Sequence, residues 1–98
     1  MPSHAPRSDT TKKREQLTRR QQELQHAIRA GLPHKQVLGA VEAVRAANLS
    51  LLKAELHWAE EARLKGDDTQ ERIRNIHEES RKWMNRAPDE IAHEVATA

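Results

Sequence analysis

The chain has 98 residues, of which only 17 are Leu, Ile or Val and none is Phe, Tyr or Cys. Chains below about 20% in large aliphatics tend to disorder when a high net charge also drives self-repulsion, but 17 basic residues here nearly cancel 15 acidic ones. The counts exclude a large enzyme core, a disulfide scaffold and a β-sandwich, while fourteen Ala favour helices.

Residues 1–8 carry two Pro and two Ser with nothing to bury, and are expected to form a disordered tail. A first helix is expected over about 10–30, capped by Ser8, Asp9 or Thr10. Its apolar seam is thin, made of Leu17, Leu24 and Ile28. Gly31 suits the left-handed position that ends a helix, and Pro33 the first turn of the next.

The second helix is expected over 33–65. At 100° per residue, Val37, Val41, Val44, Leu51, Trp58 and Ala62 share one side. Leu38, Leu49, Leu52 and Leu56 widen that side to an arc of roughly 200°, while Lys35, Glu42, Lys53 and Glu60 face away. A helix with so wide an arc is expected to lie centrally. Asn48-Leu49-Ser50 is the place where it would kink or break, if anywhere, since Asn and Ser offer the backbone other hydrogen bonds.

Gly66-Asp67-Asp68-Thr69 reads as a stop and restart, followed by a third helix over 69–86 with Ile73, Ile76, Ser80 and Trp83 on its stripe. Pro88-Asp89-Glu90 opens a short last helix, 88–96, carrying Ile91 and Val95. The expected fold is therefore all-α. It is a small antiparallel helical bundle or hairpin, with three main helices and a short C-terminal one, in a single domain over 9–98.

No apolar run approaches the roughly 18 residues of a membrane span, and the first residues lack the apolar stretch of a signal peptide. A cytoplasmic protein without a membrane partner is expected. Glu23–His26 and Glu90–His93 have the Glu-x-x-His spacing of di-iron bundles, but both His point away from their helices' apolar faces. No metal or cofactor is expected. No Ser–His–acid motif or Gly-rich phosphate loop is present, so neither catalysis nor a small-molecule substrate is expected. Glu55, the one acid near the middle of the apolar arc, has Arg14 as its candidate partner.

Two readings of function remain. The wide arc of the central helix exceeds what its neighbours' narrow stripes cover, which predicts binding to a partner protein or self-association. The surface would be Val44, Asn48, Leu52, Glu55 and Leu56, with Asn48 and Glu55 setting register as polar residues of a coiled-coil seam do. The alternative is nucleic acid. Residues 1–30 hold seven bases and three acids, while the remainder holds ten bases and twelve acids. Within Ala27-Ile-Arg-Ala-Gly31-Leu32-Pro33-His-Lys-Gln-Val37-Leu-Gly-Ala40, the placement of Ala, Gly, Val and Ala resembles the helix-turn-helix of DNA-binding regulators. That resemblance implies base contacts from His34, Lys35 and Gln36, and phosphate contacts from Arg19, Arg20 and Arg29.

Overall fold

The computed structural model describes the backbone of residues 5–63 and 70–98. It is all-α, with helices α1 (Ala5–Arg29), α2 (His34–Arg63), α3 (Gln70–Asn85) and α4 (Pro88–Thr97). The expected turn at 66–69 lies outside the described residues, as do residues 1–4 of the expected tail.

Helix α1 starts earlier than the sequence suggests, at Ala5, so residues 5–8 of the expected tail are helical. Pro6 is compatible with this because the first turn's N–H groups have no partner within the helix. The helix ends in a tight stop. Gly31 takes φ +67°, its N–H donates to the Ile28 carbonyl at 3.1 Å, and that of Leu32 donates to the Ala27 carbonyl at 3.1 Å. This paired arrangement consumes two of the carbonyls a helix end leaves open. Pro33 then precedes α2 as its cap rather than opening its first turn. Its carbonyl accepts the N–H groups of Gln36 at 2.9 Å and Val37 at 3.1 Å.

The chain reverses at this turn, and α1 lies antiparallel along α2 for most of its length. Leu24 meets Val41 and Val44, while Arg14 reaches Glu55. Among the described residues, helix α3 packs on α2 alone, and α4 packs on both α1 and α2. The molecule is elongated, 50 × 29 × 19 Å.

Among the described residues, two apolar clusters hold it together. Leu24, Val41, Val44, Ile91 and Val95 form one, at the end where three helices converge. Leu52, Ala59 and Ile76 form the other, between α2 and α3, and Trp83 borders both. Helix α4 is short but indispensable to the first cluster, because Ile91 is fully buried and Val95 nearly so. Its entry is set by Ala87 in extended conformation with Pro88 at the first helical position, and Asp89 and Glu90 place negative charge at the positive helix end.

The break at 48–50 does not form, since α2 is one continuous helix through Ser50. Asn48 lies at its buried centre, among side chains that reward an unbroken helix with burial on both sides. Among the described residues its amide makes no hydrogen bond.

Candidate interaction surface

The structure divides the five residues expected to form the association surface. Val44, Asn48 and Leu52 are buried within the chain, covered by α1, α3 and α4, and so belong to its own core. Glu55 and Leu56 remain half-buried. The sequence reading underestimated the cover because it gave α4 no place against α2. Ile91 and Val95 supply the bulk that α1's thin seam lacks.

Glu55 lies beneath an open recess of about 380 Å³ between α1 and α3, lined also by Arg14, Trp58 and Arg72. Arg14 Nη2 stands 3.8 Å from Glu55 Oε2, the partnership expected from the sequence. Arg72 lies over the Trp58 ring at 5.0 Å, so its cation is already held by an aromatic face. These pairings satisfy the recess from within the chain.

Arg45, which sequence reasoning passed over, does the most polar work. Its guanidinium donates to the carbonyls of Met84 at 3.3 Å and Arg86 at 2.8 Å, and also to that of Trp83. Glu42 holds the same group from the other side at 2.9 Å. The last carbonyls of α3 have no helical donor of their own, and a cation there also opposes the negative helix end. Arg45 thus fastens the α3–α4 connection to the middle of α2. No local pattern announces this, because its three acceptors are backbone atoms some forty positions away. Gln25 does a similar service for α4, donating to the Val95 carbonyl at 3.0 Å.

The residues expected to contact nucleic acid are mostly on the surface. Arg19, Arg29, His34, Lys35 and Gln36 are exposed, and Arg20 is half-buried with its guanidinium on Glu23 at 3.0 Å. Their grouping differs from the expected one. Helix-turn-helix units cross at about 90–120°, whereas α1 and α2 run side by side as an antiparallel hairpin. Arg29 therefore neighbours the start of α2. Arg19 and Arg20 sit about 14 Å further along α1, from the rise of 1.5 Å per residue.

The outer face of α2 is different in kind. Lys35, Gly39, Glu42, Ala46, Lys53, His57 and Glu60 are all exposed, and Ser50 is half-buried among them. Alongside runs an open groove of about 350 Å³ where Lys13, Gln16 and Arg20 of α1 overlook Ala43, Ala46, Ala47 and Ser50. Gly39 has open space where a Cβ would lie, so nothing inside the molecule requires glycine there.

His26, His57, His77 and His93 are exposed, and among the described residues no three His, Asp or Glu side chains gather as metal ligands would. Among those residues, no helix is long and apolar enough to cross a membrane. Compared with known proteins, the chain matches no family model, no curated protein and no solved structure.

Proposed function

We propose that this chain is a non-enzymatic helical interaction protein, associating with another helix, its own or a partner's, along α2. The observation that carries the reading is the outer face of α2. From Lys35 to Glu60 it remains exposed over seven turns, with its middle occupied by small side chains. Residues 35, 39, 42, 46, 50, 53, 57 and 60 recur at intervals of three and four, the spacing of a seam between two helices. Small side chains let a second helix approach closely, and such contacts gain from many weak dispersion attractions at once. The apolar seam is committed to the fold, so association falls to the opposite side of the same helix.

A photoreactive residue in place of Ala46, introduced in the living source cell, tests this. The expected result is a covalent adduct at position 46 and none at Met84, an exposed position away from the face. No adduct at 46 would remove the reading.

The nucleic-acid alternative rests on the exposure of Arg29, His34, Lys35 and Gln36 at one end of the hairpin. It predicts duplex affinity that falls steeply with salt. A mobility-shift series without any shift at low salt would dispose of it.

A further inference from the structure

The charges on the outer face of α2 identify its occupant. In chain order they are Lys35, Glu42, Lys53 and Glu60, all exposed. Lys35 and Glu60 each lie twelve residues outside the central pair Ala47–Asn48, and Glu42 and Lys53 each lie five outside it. At 3.6 residues per turn the four fall within about 20° of one another around the helix. Reversing the direction of the helix about that midpoint therefore exchanges every base with an acid. A second α2 laid antiparallel would meet opposite charge at all four positions, whereas a parallel copy in register would meet like charge at all four.

We propose that two copies of the chain pair through this face, antiparallel, about a two-fold axis passing beside Ala47 and Asn48. The inference rests on the reading above and specifies its partner. Lys35 then faces Glu60 of the second copy and Glu42 faces its Lys53, each contact occurring twice. Among the described residues, Lys35, Lys53 and Glu60 have no ion-pair partner within their own chain, whereas Glu42 shares its carboxylate with Arg45. Between Glu42 and Lys53 the facing residues are small. Ala46 meets its own counterpart near the axis, and Gly39 lies level with His57 of the second copy, which gives the imidazole the space that a Cβ would take. Of the other nearby charges, Arg45 stands about 60–80° and Glu61 about 80–100° around the helix from these four, and Lys13 and Arg20 of α1 flank the seam beside Ala46 and Ser50.

The small residues near the axis would permit close contact. Helix axes about 8 Å apart, with Cα atoms on cylinders of radius about 2.3 Å, bring the two Ala46 Cα atoms within about 6 Å, the separation a disulfide spans. Exposed ion pairs contribute little affinity in water. Their part here is to select orientation and register, as charges flanking a coiled-coil seam do.

Sedimentation equilibrium of the full chain, with charge reversal, tests the pairing. The wild-type chain is expected to dimerise. Lys35→Glu and Glu60→Lys should each raise the dissociation constant about tenfold, since each turns two attractions into two repulsions. The double variant should return it to near the wild-type value. Circular dichroism is expected to show all three folded. The absence of native cysteine adds a second readout. Ala46→Cys should oxidise to a covalent dimer. Lys35→Cys alone should not, but should link to Glu60→Cys when the two are mixed. A chain that stays monomeric with Ala46→Cys unlinked overturns the pairing, and Lys35→Cys linking to itself overturns the antiparallel register. The photochemical adduct at position 46 separates this from the broader reading. A mass of two chains supports the dimer, a different protein alone refutes it while leaving the reading intact, and no adduct refutes both.

Discussion

The inner and outer faces of α2 belong to one thirty-residue helix and differ in both the size and the charge of their side chains. The inner face carries Val41, Val44, Leu51 and Leu52, each less than a tenth exposed, and three helices converge on it. The outer face carries Gly39, Ala46 and Ser50 between alternating charges, and no described helix covers its exposed positions. Burial of large side chains is what makes folding favourable, so the inner face governs stability. Small side chains contribute little to stability but set how near another backbone can come. Substitutions on the two faces should therefore separate cleanly, moving the unfolding transition in one case and the association equilibrium in the other.

The largest effect is expected at the inner cluster. Ile91→Ala removes a fully buried side chain where α4 meets Val41, Val44 and Leu24, and should lower stability by about 3–4 kcal/mol in urea unfolding. That is a large share of the roughly 5–15 kcal/mol typical of a small domain. A loss under about 1 kcal/mol would mean that α4 does not fill the core as described. Lys53→Ala, on the outer face, should change the same measurement by less than about 0.5 kcal/mol.

Arg45 sharpens the contrast because it stands at the border between the faces. Arg45→Met keeps most of the aliphatic stem but leaves the carbonyls of Met84 and Arg86 without their donor. Stability should fall by about 2 kcal/mol, and hydrogen exchange should quicken first in the last turn of α3 and in α4. Uniform exchange across all four helices would show that Arg45 does not fasten this connection.

Much of this architecture was legible before the structure, and the exceptions share one cause. The stop at Gly31, the start at Pro88 and the helical period of α2 are written in residues adjacent in sequence, and the partnership of Arg14 with Glu55, though distant in sequence, follows from the place of each on its helix's apolar seam. The continuity of α2 through Asn48, the cover supplied by α4 and the role of Arg45 depend on what lies across the fold. Asn and Ser weaken a helix locally, but burial on both sides of Leu51 and Leu52 outweighs that preference. The burial of Val44, Asn48 and Leu52 within the expected association surface has the same cause. An apolar arc of some 200° reads as surplus until a helix of ten residues is found to occupy part of it.

Asn48 offers a third and smaller test. Its amide is nine-tenths buried and makes no hydrogen bond among the described residues, so it bears a desolvation cost without a matching partner. Asn48→Ala removes that cost and improves helix propensity, at the expense of a small void. The expected net result is a gain of about 1 kcal/mol in urea unfolding. A loss of similar size would mean that the amide is satisfied by an ordered water.

A last and modest effect bears most directly on the outer face. Gly39 sits in the interior of α2 at an exposed position, its backbone is ordinary helix, and no atom lies within 4 Å of where an alanine's methyl group would stand. Glycine at such a position costs a helix roughly 0.5–1 kcal/mol relative to alanine. For an isolated chain, Gly39→Ala should therefore raise stability by about that amount, with no compensating loss. In the antiparallel pair the added methyl meets His57 of the second copy, so the same substitution should weaken dimerisation severalfold while the folded monomer gains. Thermal unfolding of dilute protein and sedimentation of concentrated protein read the two quantities separately, and opposite signs are expected. A variant more stable and equally dimeric would place Gly39 outside the contact and move the close approach toward Ala46. Equal stability in both forms would instead mean that the helix frays at Gly39, leaving its first turn no part in either face.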